Sequence, residues 1–297
     1  VPMFNRKNYL SNDLIATISK VTDDIVAKAA PEVKRKYIPH AVNGEVFKPM
    51  TPEQIEDVRK QSLPESDRDK VIFFWNNRNA RRKQSGTLIF WFKEWLDERD
   101  LHDKAQLIMH TDPKDSHGQD LEHITEHLGL TDRQILFSTN KVPIESMAVY
   151  YNIADVTVNL SDAEGFGLAT LESLSCGTPI IATMTGGLQD QLTADGELYG
   201  VPLFPTSKAI IGSQSVPYIY EDRLSKKDFF SALDKVYNMT VEDRLEWGQK
   251  GRAHVMKNFN FANFNKSWVD LMLDIHESSG RWETRTGYNG ITFKEIA

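Results

Sequence analysis

At 297 residues, 40% apolar and 26% charged, the chain has the proportions of a globular protein with one sizeable core or two modest ones. A net charge of −7 provides no basic footprint and argues against nucleic acid as a bulk partner. The single cysteine, Cys176, excludes an intrachain disulfide and fits a reducing, cytoplasmic compartment. Its apolar neighbours mark it as a small buried residue at a helix end rather than a nucleophile. No apolar run reaches the length of a membrane span, so no transmembrane segment is expected, and a peripheral membrane contact stays open. The first residues, Val1 to Lys7, lack the charged-then-apolar layout of a signal peptide.

In chain order, Asp13 to Pro49 predicts helix, strand and turn, with Leu14, Ile15 and Ile18 opening a helical apolar pattern and Tyr37-Ile38-Pro39 closing an extended segment. Residues 51–70 are charged and predict a solvated helix and linker. Val71 to Trp75 is a buried-strand run, followed by an amphipathic helix from Thr87 to Leu96. Leu107 to His110 is the next strand, and Leu121, Ile124 and Leu128 mark the next helix. Ile135 to Phe137 predicts a third strand, Ser146 to Tyr151 a helix, and Val156 to Leu160 a fourth strand. Residues 202–220 read as a loop rich in proline and aromatics. Helices follow over Lys226 to Tyr237 and Val241 to Lys257, then a last helix through Trp268, Leu271 and Ile275 with a glycine-bearing end. This alternation predicts an α/β fold, a doubly wound parallel sheet with C-terminal helices, whose ligands bind beyond the carboxyl ends of the strands.

The segment Ser161-Asp162-Ala163-Glu164-Gly165-Phe166-Gly167-Leu168-Ala169-Thr170-Leu171-Glu172 stands at such an end. It runs from strand through a glycine-bearing turn into a helix, then by Cys176-Gly177-Thr178-Pro179 into the strand Ile180-Ile181-Ala182. Glu164 falls in the loop and Glu172 about two turns into the helix. Gly165 and Gly167 permit close backbone approach, and the first helical amides are donors suited to an anion. Carboxylates for hydroxyls beside amides for phosphate match a polyhydroxylated phosphate ester. After the first strand comes Asn76-Asn77-Arg78-Asn79-Ala80-Arg81-Arg82-Lys83, which places cations at the same crevice, where they would stabilise charge on a departing diphosphate.

Together these residues resemble the donor-binding half of retaining GT-B glycosyltransferases, the sucrose-synthase-like and mannosyltransferase-like family. The resemblance covers roughly Asp13 to Asn260. It implies that Arg78 and Lys83 hold the donor diphosphate and that Glu164 contacts the sugar and favours positive charge at its anomeric carbon. Glu172 would bind the ribose diol, Phe166, Gly167 and Leu168 would offer main-chain amides, and Lys141 or Val142 would meet the base by main-chain contacts. It further implies a UDP- or GDP-sugar donor, an unknown acceptor, no cofactor and no metal, and retention of configuration with the leaving phosphate assisting the acceptor's deprotonation. Asn76-Asn77 stand where relatives often carry glycine, and Asn43 where they commonly carry aspartate. Residues 1–50 would then be the end of an acceptor domain and the interdomain crossing, 51–260 the nucleotide-sugar domain, and 261–297 a returning helix and tail with an apolar face only partly covered. With the acceptor domain missing from this chain, donor binding with poor transfer is expected. A nucleotide-sugar epimerase on the same fold and a non-catalytic binding module are the alternatives.

Two further patterns are weaker. His123-Ile124-Thr125-Glu126-His127 matches an inverted zinc-protease string, but no third ligand segment is evident and a solvated helix accounts for it. Asp67-Arg68-Asp69 imitates a metal-binding pair but lies in a charged linker and is expected at the surface.

Overall fold

A computed structural model of the chain describes residues 5–216 and 218–281. Pro217 and the end of the expected tail, from residue 282, lie outside the described residues. The chain opens with α1 (Arg6–Leu10), β1 (Leu14–Thr17), α2 (Lys20–Ala29) and β2 (Lys34–Tyr37), and β1 pairs with β2 in parallel as a small separate sheet. The helix expected from Leu14 is therefore a strand. Its three apolar residues imitate a helical turn, but the helix begins only at Lys20, where the Ser19 side chain accepts from the Thr22 amide. A crossing segment leads to α3 (Pro52–Ser62), started by a capping box of Thr51 and Gln54. In that segment Asn43 accepts from the Glu45 amide at 3.0 Å, a bond that aspartate would make equally well.

Strand and helix then alternate through β3 (Val71–Asn76), α4 (Ser85–Arg99), β4 (Ala105–His110), α5 (Leu121–His127), β5 (Ile135–Ser138), α6 (Ile144–Ile153), β6 (Val156–Asn159), α7 (Leu168–Ser175), β7 (Ile180–Thr183) and α8 (Leu188–Leu192). A short antiparallel pair, β8 (Thr193–Ala194) and β9 (Glu197–Leu198), precedes β10 (Val201–Leu203). The stretch expected to be loop instead carries β10 and an antiparallel hairpin, β11 (Ser207–Ile210) with β12 (Tyr220–Arg223). The helices α9 (Lys226–Tyr237), α10 (Val241–Asn258) and α11 (Phe261–Ser279) complete the described chain.

The main sheet has six parallel strands in the order β5-β4-β3-β6-β7-β10. The winding reverses between β3 and β6, and a crevice opens at such a point beyond the strand carboxyl ends. Side chains alternate across the sheet. Phe73 and Trp75 of β3 enter one core with Leu88, Phe92 and Trp95 of α4 and Phe229 and Leu233 of α9. Ile72 and Phe74 enter the other with Tyr151 of α6, Leu171 and Leu174 of α7 and Val255 of α10. Both faces are covered, which is why these strands read as unbroken apolar runs. The last helix returns to the N-terminal strands, where Ser267 and Leu271 share a groove with Leu14 and Arg35. Its remaining apolar stripe is bare, with Val269, Met272 and Leu273 exposed by 55%, 62% and 57%.

Candidate functional site

The loops leaving β3 and β6 flank the reversal, and their charged side chains meet there. Lys83 lies in a 3-10 turn, Arg81–Lys83, and its Nζ donates to Glu164 Oε1 and to Asn77 Oδ1, the latter at 2.8 Å. Arg82 Nη1 reaches Glu164 Oε2 at 3.1 Å and Ala163 O at 2.7 Å, while Ser161 Oγ donates to Glu164 Oε1 at 3.0 Å. Only 10% of the Lys83 side chain and 5% of the Glu164 side chain are exposed. Burial works to raise the Glu164 carboxyl, but Lys83 and Arg82 more than offset it and hold Glu164 below its ordinary value. An ionised carboxylate therefore faces two cations, one of them buried and the other, Arg82, reaching in from the solvent side.

The glutamate loop is fixed from behind. Phe166 is buried edge-on against His40 and Phe259, with ring centroids at 5.1 and 6.0 Å, and Gln191 Nε2 donates to Phe166 O at 2.7 Å. Gly186 packs so closely that a methyl group there would lie 1.6 Å from Glu164 O. Gly167 caps α7 with φ +91°, a conformation that favours glycine, so no side chain caps the first amides of the helix. Leu168, the first residue of α7, is exposed, and a side chain at Gly165 would meet only Ile18, at 3.5 Å. Open space thus lies over the loop where a ligand would sit.

Glu172 is the fifth residue of α7, one turn from the helix start rather than two. Tyr151 of α6 donates to its Oε2 at 2.7 Å, and Asn76 Nδ2 at the end of β3 donates to the Tyr151 oxygen at 2.9 Å. Burial raises the Glu172 carboxyl above its ordinary value, against the pull of the Tyr151 bond. Both asparagines that depart from the glycine pattern are therefore in use. Asn77 holds Lys83, and Asn76 reaches Glu172 through Tyr151.

The chain and its fold have known counterparts. The family described as "Glycosyl transferases group 1" matches residues 56–254. The chain belongs to the group 1 glycosyl transferases. Among curated relatives, a D-inositol 3-phosphate glycosyltransferase of Corynebacterium jeikeium is 31% identical over 191 residues, 63% of this chain and 44% of that protein. The sucrose-phosphate synthase of Thermosynechococcus elongatus superposes with a TM-score of 0.73 at 24% identity, over 94% of this chain and 62% of that one. Anabaena HepE, solved with UDP-glucose, superposes with a TM-score of 0.70 at 14% identity, over 92% and 68% of the two chains. The GT-B fold is thereby shown for this chain. Its alignment with the first curated relatives covers half of their length or less.

Within this group 1 glycosyl transferase domain, other expected residues stand apart from the Lys83–Glu164 pair. Arg78 is turned to the loop after β4, where its guanidinium donates to Asp115 at 2.6 and 3.1 Å and lies 2.7 Å from His117 Nδ1. Lys141 and Val142 lie in the exposed loop between β5 and α6, backed by hydrogen bonds of 2.9 Å from His110 Nδ1 to Ser138 Oγ and from Ser138 Oγ to Tyr150 OH. Asp67 is not at the surface, as expected from the linker, but fully buried. Lys70, Arg133 and Gln106 hold it at 2.9, 2.6 and 3.2 Å and, against burial, draw its carboxyl down to about 2. Among the described residues no cluster of metal-ligating side chains includes His123 or His127. Cys176 is buried, as expected, and burial pushes its thiol up. No described helix is long and apolar enough to cross a membrane. A cavity of about 910 Å³ opens instead near the amino-terminal ends of β6 and β7, beside Asp155 and Pro179, and its Arg59 and Arg244 are both held by Asp155. We place the site at the reversal, where buried charge converges.

Sequence reasoning missed the hairpin. Glu221 of β12 is buried and accepts both Arg81 guanidinium nitrogens at 2.9 and 2.6 Å, and Arg223 pairs with Asp162 at 2.9 Å. Asp162 also accepts from Gln84 at 2.5 Å, so hairpin, basic loop and glutamate loop are tied together. Tyr151 and Asn76 were missed as well. Their contacts to Glu172 span separate elements and leave no spacing signal.

Proposed function

We propose that this chain is the donor-binding half of a retaining glycosyltransferase, transferring a sugar from a UDP- or GDP-sugar to an acceptor without a metal. The observation that carries the reading is the convergence of Lys83 and Arg82 on Glu164 at the winding reversal, with Glu172 one helical turn beyond. On this reading Lys83 turns from Glu164 to the diphosphate, and Arg78 joins it from Asp115. Glu164 takes the sugar hydroxyls and favours positive charge at the anomeric carbon. Glu172 accepts from the ribose diol. Amides of Phe166, Gly167 and Leu168 meet sugar and phosphate across Gly165, and the loop of Lys141 and Val142 seats the base. The acceptor hydroxyl oxygen bonds to the anomeric carbon on the face from which the phosphate leaves, and its proton passes to the departing phosphate oxygen. Anabaena HepE, solved with UDP-glucose on the same fold, supports a nucleotide-sugar donor.

Residues 51–260 would form the nucleotide-sugar domain, with 1–50 and 261–297 belonging to the crossing and the return toward an acceptor domain. The bare stripe of α11 supports that arrangement. A cytoplasmic location fits the single, buried and unpaired cysteine. Calorimetric titration with UDP, GDP and ADP in the presence of a chelator tests the reading. Selective binding of one nucleotide is expected, with little transfer to a simple acceptor. Binding of none of the three overturns the donor site, and binding only after magnesium is added overturns metal independence.

A further inference from the structure

Glu172 is held by a hydrogen-bond chain drawn from three elements. Asn76 ends β3, Tyr151 lies on α6 and Glu172 on α7, joined by bonds of 2.9 and 2.7 Å. The direction of these bonds follows from proton count. A phenol has one proton and an ionised carboxylate only accepts, so the proton points to Glu172 and the Asn76 amide donates to the phenol oxygen. The ring itself is locked. Tyr151 is fully buried, edge-on to Phe74 at 5.2 Å and to Phe47 at 6.1 Å between ring centroids. The Tyr151 bond engages Oε2 alone and thereby fixes the plane in which the second oxygen is presented.

We propose that Tyr151, oriented by Asn76, is a positioning residue that aims Glu172 at the ribose diol, so that this pair sets the preference for ribonucleotides over deoxynucleotides. The proposal rests on the donor-site reading above. A carboxylate free to rotate would present its oxygens in several orientations and lose part of its hydroxyl bonding to that freedom. Burial disfavours the ionised carboxylate, and the phenol proton is the interaction that counters it. Neither residue need touch the nucleotide for this effect.

The test compares each nucleoside diphosphate with its 2′,3′-dideoxy counterpart by calorimetry. Glu172→Ala provides the reference, with affinities for the two sugars drawn together. Tyr151→Phe is expected to weaken the ribonucleotide about tenfold, to leave the dideoxynucleotide unchanged, and to add nothing in the Glu172→Ala background. Asn76→Ala, at the half-buried end of β3, should act in the same direction and carries the test if Tyr151→Phe fails to fold. Equal weakening of both sugars, an additive effect in the Glu172→Ala background, or an unchanged ratio overturns the proposal. Wild-type protein that binds no nucleotide overturns the donor-site reading instead.

Discussion

Two glutamates eight positions apart carry opposite electrostatic burdens. Glu164 is held below its ordinary value by cations, so its contribution to stability is present above the ordinary value of 4.5 and lost as the pH falls through its lower folded value. Glu164→Ala leaves the Lys83 ammonium buried without its carboxylate and should cost about 3 kcal/mol at neutral pH. Chemical denaturation checks this, and the difference from wild type should shrink in acid. An unchanged midpoint at pH 7 would mean that the pair adds no net stability. Glu172 is raised by burial, so its ionised form weakens the fold as the pH climbs through that raised value. Glu172→Gln should therefore hold or raise the Tm at neutral pH while weakening nucleotide binding about tenfold or more. A lower Tm in a thermal melt, or unchanged affinity in a titration, would contradict that assignment.

Among the elements, the β11–β12 hairpin acts as a brace on the basic loop. Glu221→Ala would release Arg81 from its two bonds. With Arg81 half exposed, the loss should be about 1–3 kcal/mol of stability. Nucleotide affinity should fall several-fold through a looser Arg81–Lys83 turn, and titration that finds full affinity removes the brace. Most other elements could be read from the sequence because buried parallel strands are continuous apolar runs and the intervening helices carry periodic ones. The misreadings have local causes. Leu14, Ile15 and Ile18 have helical spacing, but Leu14 and Ile15 lie in a strand, paired with residues twenty positions on, Leu14 with Lys34 and Ile15 with Arg35, and Ile18 falls in the bend that follows. The hairpin strands Ser-Lys-Ala-Ile and Tyr-Glu-Asp-Arg have almost no apolar alternation, since their inward group is the buried, salt-bridged Glu221. Asp67 carried no sign of burial, because its partners Gln106 and Arg133 come from distant segments. The glutamate motif was legible because its residues are adjacent in sequence, whereas Tyr151 and Asn76 belong to it only in space.

At the scale of the whole molecule, the α11 stripe is an exposed apolar surface, which on the reading proposed above would face an acceptor domain. Val269, Met272 and Leu273 recur at helical spacing and form one apolar strip. The chain alone should self-associate with rising concentration in sedimentation measurements. Met272→Ser with Leu273→Ser should suppress this without altering nucleotide affinity, and association that persists would move the contact elsewhere. The crevice has a consequence for how the protein is made. Lys83 and Glu164 are 81 residues apart, and Arg81 and Glu221 are 140 apart. Bringing residues so far apart together costs loop-closure entropy that the rest of the folded sheet must offset. A chain still being synthesised therefore has an unbraced basic loop until β12 has emerged. A ligand that binds only the finished crevice stabilises the fold as a whole, so the Tm should rise with its concentration.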